Sequence, residues 1–301
     1  MKILKDEYNV QNITSITKPN TGSGNTLLIA TVSGKYVLKK NERDDYVAVY
    51  NKAQKHLTKK GFRQSKIVLT KDKKLKTANN YVLYEMIAGQ TITDFNNKQL
   101  KNALQYLKHY NIALKSLDFC ESEIKQVNNW DLAKSLNYML NIFRKELNFY
   151  LNKQETQDIL ISALDYLAFH KQLLANSQKQ LIHSDLGIDN FLFNEDEVVS
   201  IIDFTPEYEH EYYSLCQFYY WNFLYKENDY NHDSVNKVLF LYLNSQIKNQ
   251  NKLLFNVLLL KACLFRVIGP LLNSKNEEPS AGLNKRIKLI DKVLQKIKLI
   301  K

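Results

Sequence analysis

The sequence predicts an α+β protein with two lobes: a small N-terminal lobe built on an antiparallel sheet and a larger, mostly helical C-terminal lobe. Short apolar segments separated by turn residues occupy roughly the first 90 residues, and long segments of helical periodicity begin near residue 93. The 301 residues include 8 glycines and 4 prolines, too few turn formers for a sandwich or barrel of many short strands. We place the smaller lobe in residues 1–87, the larger in 88–301, and a hinge near 85–92.

The N-terminal lobe is predicted to hold two pairs of strands around one helix. The segments TLLIATV and KYVLKK flank Ser33 and Gly34, a pattern that indicates a β-hairpin. The next segment, 44–60, has apolar residues at helical spacing, and a glycine follows as a stop signal. KIVLT at 66–70 and YVLYEMI at 81–87 supply two further strands.

The C-terminal lobe is predicted to be helical at both ends and extended in its middle. Three long amphipathic helices come first, at 97–117, 130–151 and 155–177. Short extended pieces follow within 181–204, and four helical segments continue to the end of the chain. The larger lobe therefore carries most of its non-helical residues in one central block.

The excess of basic residues does not by itself indicate a nucleic acid or membrane partner. Lys and Arg total 42 against 31 Asp and Glu, a formal net charge of +11. The lysines are scattered over the faces of predicted helices, and no nucleic-acid-binding motif accompanies them. We therefore expect no nucleic acid partner, and the sequence indicates no oligomeric state.

Cysteine use and hydropathy predict a cytoplasmic protein that does not enter a membrane. Cys120, Cys216 and Cys263 are far apart and form neither a metal-binding nor a disulfide pattern. The N-terminus lacks the apolar core of a signal peptide. The most apolar segment, 253–272, has membrane length but contains two cations and a proline, so we expect a core helix.

One block of the sequence places polar residues among apolar ones. LIHSDLGIDNFLFNEDEVVSIIDF, residues 181–204, contains His183, Asp185, Asn190 and Asp203. A hairpin of FLFN with EVVSIID would bring Asn190 and Asp203 together, and their oxygen atoms would suit Mg²⁺. Asp185, in the preceding loop, could accept a proton from a hydroxyl group directed at a metal-bound phosphate. Alternatively, Asp185 and Asn190 cap turns and Asp203 ends a strand, but the joint spacing favours the catalytic interpretation.

This block resembles a known signature. HSDLGIDNFLF…IIDF is similar to the His-Gly-Asp-x4-Asn and Ile-Asp-Phe motifs of the aminoglycoside phosphotransferase and choline kinase superfamily, which includes spore-coat kinase-like relatives. Its enzymes are small-molecule kinases with a protein-kinase-like bilobal fold. The resemblance implies that Asp185 is the catalytic base, that Asn190 and Asp203 bind the metal, and that His183 supports the catalytic loop. Ser184 stands where the motif has glycine.

The resemblance also implies a site for ATP (or GTP) in the N-terminal lobe. Such kinases have a phosphate-covering loop followed by a lysine on the next strand. The loop residues that we expect beside the phosphates are Gly22, Ser23, Gly24 and Asn25. Strand alternation puts Val37 and Lys39 on one face, where the valine would cover adenine and the lysine would reach phosphate. Lys40, on the other face, is expected to be solvated.

The adenine end of this site is expected between the lobes. YVLYEMIAGQTI resembles the connector of the family, in which backbone groups of Glu85 and Ile87 would bind the adenine edge. Leu192 and Ile202 would form the apolar floor of the pocket, although core packing explains these two residues equally well.

Two positions depart from the family pattern or leave a choice open. A helix carboxylate normally holds the family's lysine; Asp45 is the candidate here, with Asp44 and Glu42 as alternatives. Ser214 stands where relatives have an aspartate that braces the catalytic loop, so this loop would need another brace.

The acceptor site is predicted just beyond the metal aspartate. Three acidic residues follow it in an otherwise basic protein: Glu207, Glu209 and Glu211. Aromatic residues crowd the same region: Tyr208, Tyr212, Tyr213, Phe218, Tyr219, Tyr220 and Trp221. Carboxylates with aromatic faces suit a cationic acceptor such as an amine alcohol or an aminoglycoside. A solvated acidic loop followed by a buried aromatic helix explains the pattern equally well, and a neutral sugar or homoserine-like acceptor stays open.

The leading hypothesis is an ATP- and Mg²⁺-dependent phosphotransferase that acts on a hydroxyl group of a small molecule. Its partners would be a nucleoside triphosphate and that hydroxyl acceptor. The alternative is a catalytically degenerate kinase-fold scaffold, or a spore-coat-like binding protein, for which Ser214 is the only support.

Overall fold

The N-terminal part of the chain forms one five-stranded antiparallel sheet. The structure, a computed structural model, describes residues 2–19, 25–40, 42–273 and 280–298. The strands are β1 (Ile13–Thr17), β2 (Thr26–Thr31), β3 (Lys35–Lys40), β4 (Ile67–Val68) and β5 (Tyr81–Glu85). Their order across the sheet is β1-β2-β3-β5-β4. Helix α1 (Lys2–Tyr8) precedes the sheet, and α2 (Asp44–Lys59) follows β3.

The β2–β3 hairpin and α2 form as predicted. In the hairpin turn, the Thr31 hydroxyl donates to the carbonyl of Gly34 at 2.9 Å and accepts from its N–H at 3.0 Å. Helix α2 ends before Gly61, whose φ of +88° is a left-handed conformation that favours glycine. The strand predicted at 66–70 is shorter than expected, since pairing with β5 is limited to Ile67–Val68.

Helix α1 and strand β1 lack a clear sequence signal but complete the core of the sheet. The hydroxyl of Tyr8 donates to the carbonyl of Tyr81 at 2.7 Å, which ties α1 to β5. The buried apolar residues of this small core are Leu4, Tyr8, Val10, Ile29, Leu38 and Leu83. Helix α2, in contrast, packs its apolar face into the larger core of the helical part.

The remainder of the chain is mostly helical, as predicted. Its α-helices are α3 (Asn97–Lys115), α4 (Asn129–Lys134), α5 (Leu136–Tyr138), α6 (Arg144–Tyr150), α7 (Gln154–Phe169), α8 (Lys171–Ala175), α9 (Glu211–Tyr219), α10 (Tyr225–Glu227), α11 (His232–Leu243), α12 (Asn249–Asn273) and α13 (Ala281–Ile297). Turns of π-helix at Met139–Phe143 and Tyr220–Leu224 join α5 to α6 and α9 to α10. Turns of 3₁₀-helix lie at Glu121–Glu123 and Ile188–Asn190.

Two helices that the periodicity predicts as continuous are interrupted. The segment 130–151 breaks at Ser135, whose extended backbone ends α4 and whose hydroxyl accepts from the N–H of Tyr138 at 3.3 Å. The segment 155–177 breaks at His170, which separates α7 from α8. The prediction failed at both points because apolar periodicity continues across a one-residue change of backbone direction.

Two short two-stranded sheets hold the central block. The predicted hairpin is confirmed as β7 (Phe191–Asn194) paired with β8 (Glu197–Ile201). Strand β6 (Gln180–His183) pairs antiparallel with β9 (Pro206–Glu209), a strand that the sequence did not predict. Gln90 and Phe193 exchange backbone hydrogen bonds of 2.8 Å, so the segment after β5 is tied to β7.

Helix α12 runs through the larger core, in contact with α4, α7, α9 and α13. Its length and hydropathy would allow it to cross a membrane, but 78% of its most apolar window is buried inside the protein. This burial agrees with the core helix predicted for 253–272. The helix also carries Lys261 and Arg266, two cations that face polar partners described below.

Candidate active site

His183 lies at the end of β6 and ties three parts of the central block together. Its Nδ1 accepts from the N–H groups of Asp185 at 3.1 Å and Thr205 at 3.3 Å, and Nε2 is 3.1 Å from the Ile202 carbonyl. Nε2 must therefore carry the proton and donate to that carbonyl. The ring is completely buried, and this burial lowers the pKa of His183, so the imidazole is neutral at pH 7. With both nitrogen atoms engaged, His183 anchors the loop and is not free to act as a base.

Asn190 is held against the loop that carries Asp185. The amide Nδ2 of Asn190 donates to the backbone carbonyl of Asp185 at 2.8 Å, and the carbonyl of Asn190 accepts from Ile202 at 2.9 Å. Because Nδ2 is engaged, Oδ1 is the side-chain atom of Asn190 that is available to a cation. The side chain of Asp185 is 45% exposed, so its carboxylate is accessible to a ligand.

Asp203 follows β8 and forms an ion pair with Lys39 of β3. Its backbone has a φ of +58°, a left-handed conformation uncommon for any residue except glycine, asparagine and aspartate. Backbone of this kind concentrates at functional sites. Of the two lysines that end β3, Lys39 reaches the central block, whereas Lys40 is exposed and lies 5.5 Å from the Tyr81 ring centre.

The donor atoms in this region fit a hard divalent cation. An amide oxygen from Asn190 and a carboxylate from Asp203 are ligands that Mg²⁺ accepts. Among the described residues, no group of three or more His, Cys, Asp and Glu side chains is placed to hold a metal ion. A cation here would therefore complete its coordination with phosphate oxygens and water.

The predicted partner of Lys39 requires correction. Both carboxylate oxygens of Asp45 bind Arg43, at 3.0 Å from Nε and 2.6 Å from Nη2, and Oδ2 also accepts from the N–H of Lys125. Burial raises the pKa of Asp45, but these bonds outweigh it and keep the pKa below its usual value. The prediction that Asp45 pairs with Lys39 was wrong, because Asp45 pairs with Arg43, the cation at the start of the helix. The alternative acid, Glu42, has a pKa raised by burial, and the positive charge of Lys39 opposes this rise.

Of the predicted phosphate-covering loop, Asn25 is the one residue that the structure describes. Gly22, Ser23 and Gly24 lie outside the described residues, so their predicted role stays a prediction. Asn25, which follows them, is exposed, and its carbonyl accepts from the N–H of Lys40 at 3.0 Å. Val37 is half-buried on β3, two residues before Lys39 on the same face of the strand.

The connector after β5 lies close to β7, as an adenine pocket would require. The N–H of Glu85 donates to the carbonyl of Lys66 at 2.8 Å, so the strand already uses this donor. Ile87 is buried, as is Leu192, and Ile202 is half-buried. A Cβ atom at Gly89 would lie 2.8 Å from Cβ of Leu192, so only glycine allows this approach.

The predicted catalytic loop is held without an aspartate at position 214. Ser214 is buried and links α9 to α3 through Asn111, whose Nδ2 donates to the serine hydroxyl at 2.8 Å. The loop is held instead by Asn222, which donates to the Leu186 carbonyl at 3.1 Å. The hydroxyl of Ser184 donates to the Thr205 carbonyl at 3.3 Å, a bond that glycine could not make.

The acidic residues beyond Asp203 are not free carboxylates. Glu207 and Glu209 line a cavity of about 380 Å³ bounded by α4, β9 and the segment 121–126. Lys134 Nζ lies 3.4 Å from Glu207, and Glu209 forms a buried ion pair with Lys261. Glu211 lies outside this lining and accepts a hydrogen bond from the Tyr242 hydroxyl at 3.2 Å. The aromatic residues of α9 are buried, as the second interpretation expected.

One residue beside the site was not predicted. Nη2 of Arg266, on α12, lies 3.6 Å from Oδ1 of Asp185. Its guanidinium carbon is 4.6 Å from the centre of the Trp221 ring. The available signal was a cation inside the most apolar segment of the chain. Burial of a charge costs free energy unless the charge has a partner.

The sequence matches the model of one protein family, described as the phosphotransferase enzyme family, over residues 15–206. No protein of curated function matches it by sequence.

Three solved structures with the same fold bear the names of phosphotransferases or kinases. A thermostable mutant of aminoglycoside phosphotransferase APH(4)-Ia, in its apo form, has a TM-score of 0.69 at 13% identity, covering 94% of this chain and 95% of that one. Amicoumacin kinase hAmiN has a TM-score of 0.69 at 14% identity, with 98% and 92% covered. Choline kinase LicA from Streptococcus pneumoniae has a TM-score of 0.65 at 13% identity, with 98% and 96% covered. The predicted protein-kinase-like fold is confirmed.

Proposed function

Because this chain belongs to the phosphotransferase enzyme family, we propose that it is a Mg²⁺-dependent small-molecule kinase. It transfers the γ-phosphoryl group of ATP or GTP to a hydroxyl group of its acceptor. The acceptor oxygen forms a bond to the γ-phosphorus, and the bond from this phosphorus to the bridging oxygen breaks. The hydroxyl proton passes to a carboxylate. We place this reaction in the cytoplasm, where the nucleotide is available.

The observation that carries the proposal is the ion pair between Lys39 and Asp203. It brings a cation of the sheet to the carboxylate that follows β8, next to the loop of Asp185 and Asn190. Phosphoryl transfer needs these parts together: a cation for the phosphates, oxygen ligands for a metal, and a carboxylate for the nucleophile. Solved relatives support the nucleotide, since hAmiN was solved with AMP-PNP and Ca²⁺, and a thermostable mutant of APH(4)-Ia with ADP and hygromycin B.

In this mechanism, Asn190 and Asp203 would hold the cation and Lys39 would bind the phosphates. The bound Mg²⁺ supplies charge neutralisation for the phosphoryl group during transfer. Lys39 now pairs with Asp203; with a nucleotide present, Lys39 would bind phosphate oxygens and the Asp203 carboxylate would be free to hold the metal.

Asp185 orients the acceptor hydroxyl and takes its proton. The carboxylate is half-exposed, and the loop around it is fixed by His183 and Asn190. His183 cannot take this role, because both of its ring nitrogens already bond to the backbone. A carboxylate that holds the nucleophile in line provides positioning, which is the main protein contribution to phosphoryl transfer.

A non-catalytic scaffold is the competing function, and nucleotide binding separates the two. We would titrate the full chain with ATP by calorimetry, once with excess Mg²⁺ and once with EDTA. A kinase should bind ATP about tenfold or more tightly with Mg²⁺, because Asn190 and Asp203 would hold the cation and the cation would offset the charge of the phosphates. Equal binding under both conditions, or none, would contradict the proposal and favour the scaffold.

A further inference from the structure

Arg266 approaches the proposed catalytic base from the helical side of the site. Its Nη2 lies 3.6 Å from Oδ1 of Asp185 and donates to Oε1 of Gln217 at 2.8 Å. The guanidinium group stacks near Trp221, and 15% of the arginine side chain is exposed. Lys39 reaches the same region from the sheet, where the nucleotide is proposed to bind. Arg266 therefore lies on the side from which an acceptor would meet Asp185.

Positive charge accumulates around this guanidinium. Nη1 of Arg286 donates to the backbone carbonyl of Arg266 at 3.0 Å. Nζ of Lys285 lies 4.1 Å from the centre of the Tyr225 ring, beside the same aromatic cluster. Asp185 is the carboxylate within ion-pair distance of Arg266 in the part of the chain that is described. The two arginines and the one carboxylate within ion-pair distance leave a net positive charge, which favours an anion.

Unpaired hydrogen-bond donors near Arg266 also favour an anionic ligand. Several buried donors have no hydrogen-bond partner among the described residues: Gln217 Nε2, Tyr220 OH, Trp221 Nε1, Arg266 Nε and Arg286 Nε. Gln217 is 0% exposed to solvent and Tyr220 is 1% exposed. Buried donors without acceptors are unfavourable. A carboxylate or phosphate brings acceptors, which a donor-rich region lacks, whereas an ammonium group would add more donors.

The carboxylates that could attract a cationic acceptor are already neutralised. Lys134 lies beside Glu207, and the negative charge of Glu207 raises the pKa of this lysine against the effect of burial. Lys261 and Lys179 keep the pKa of Glu209 below its usual value, again against burial. Each glutamate therefore already has a lysine within ion-pair distance, which lowers its attraction for an ammonium group.

We propose that Arg266 binds an anionic group of the acceptor, so the acceptor is a hydroxyl compound that carries a carboxylate or a phosphate. This inference rests on the proposed kinase function and makes it more specific. A guanidinium group can form two parallel hydrogen bonds with either anion, which fixes the acceptor in orientation as well as in place. Bound in this way, the acceptor presents its hydroxyl group to Asp185.

The acceptor class is tested with three separate pools of compounds. The full chain is incubated with Mg-ATP and either hydroxy acids, sugar phosphates, or amine alcohols mixed with aminoglycosides, and products are identified by mass spectrometry. We expect a phosphorylated product in one of the two anionic pools, and the pool that reacts distinguishes carboxylate from phosphate. A product from the amine pool, or none from either anionic pool while Mg-ATP binds, would overturn the inference. Failure to bind Mg-ATP would instead refute the kinase function itself.

The role of Arg266 is tested by substitution, using the acceptor from the reactive pool. Arg266→Gln should raise KM for that acceptor by about tenfold or more, the usual effect of losing a charge-assisted hydrogen bond. KM for ATP should stay within roughly twofold, because the nucleotide is proposed to bind Lys39 and not Arg266. Arg266→Lys keeps the charge and should restore part of the affinity.

Arg144 offers a matched control, since it pairs with Asp165 on the surface at 2.5 Å. Arg144→Gln should leave both KM values unchanged. If Arg266→Gln leaves KM for the acceptor unchanged, or raises KM for ATP equally, Arg266 does not bind the acceptor. A thermal melt of each variant separates misfolding from a binding defect, and Arg266→Lys provides a second variant that keeps the packing.

Discussion

Lys39 and Asp203, 164 residues apart in the chain, form an ion pair that joins the sheet to the segment after β8. Their side chains are 20% and 53% exposed, so solvent screens the pair and its contribution to stability is small. The importance of the ion pair for function lies in its position. It places a cation and a carboxylate where, in a kinase, the phosphates and the metal ion meet.

Removing the charge of Asp203 should stop phosphoryl transfer and leave the fold intact. We choose Asp203→Asn because asparagine tolerates the left-handed backbone at this position, with its φ of +58°. Mg-ATP-dependent turnover should fall by roughly 100-fold or more, while the free energy of unfolding changes by less than about 1 kcal/mol. Turnover is measured by product formation and stability by urea titration. Retained turnover in a folded variant would exclude Asp203 as a metal ligand.

Asp45 should matter for stability and not for nucleotide binding. Its carboxylate is 8% exposed and paired with Arg43, so Asp45→Asn should lower the free energy of unfolding by about 3 kcal/mol. KM for ATP should not change. The comparison variant is Glu42→Gln, next to Lys39, which should raise KM for ATP with little loss of stability. The opposite pattern would restore Asp45 as the partner of Lys39.

The contact between the connector and β7 should tolerate no side chain at Gly89. A Cβ atom there would meet Leu192 at 2.8 Å, so Gly89→Ala should lower the free energy of unfolding by about 1–3 kcal/mol and weaken ATP binding. Gly282 in α13 is the control, because its Cβ would meet nothing closer than 3.9 Å. Gly282→Ala should stabilise the protein by about 0.5 kcal/mol. Equal effects of the two substitutions in a denaturation experiment would contradict this account.

Stability should fall as the pH drops below about 6.5. Burial lowers the pKa of His170, His183 and His210 from the usual value of 6.5. The unfolded chain therefore binds more protons than the folded one as the pH falls through 6.5, and the free energy of unfolding decreases. Urea titrations at pH 7.5 and 5.5 measure this difference, and His183→Asn should reduce it. Greater stability at the lower pH would contradict the burial of neutral imidazoles.

Much of the fold follows from local sequence patterns. The β2–β3 hairpin, α2 with its glycine stop, α3 and the β7–β8 hairpin all depend on residues close together in the chain, and all were predicted correctly. The breaks at Ser135 and His170 were missed because the apolar pattern continues through them. Pairing of β6 with β9 was also missed, since the acidic strand β9 lacks the apolar alternation of a typical strand.

The candidate site also contains some residues that local sequence predicts and others that it does not. Asp185, Asn190 and Asp203 stand in one contiguous motif, so their spacing was sufficient to single them out. Partners that are distant in sequence could not be assigned. The approach of Arg266 to Asp185 is of this kind, because it depends on how α12 packs; Arg43 is a different case, since it lies only two residues from Asp45 and was overlooked. Charged residues inside apolar helices are the available signal for such contacts, but they do not identify the partner.

The most direct test of the central claim is transfer of phosphate from Mg-ATP to a small molecule. The full chain is incubated with Mg-ATP and a broad pool of hydroxyl-bearing metabolites and antibiotics, and phosphorylated products are sought by mass spectrometry. Asp185→Asn, which removes the proposed base and keeps the size of the side chain, is run in parallel. We expect a product that the unmutated protein makes and that Asp185→Asn makes roughly 100-fold more slowly or not at all. A product formed equally fast by both proteins would contradict the role of Asp185, and the absence of any product would contradict the kinase function.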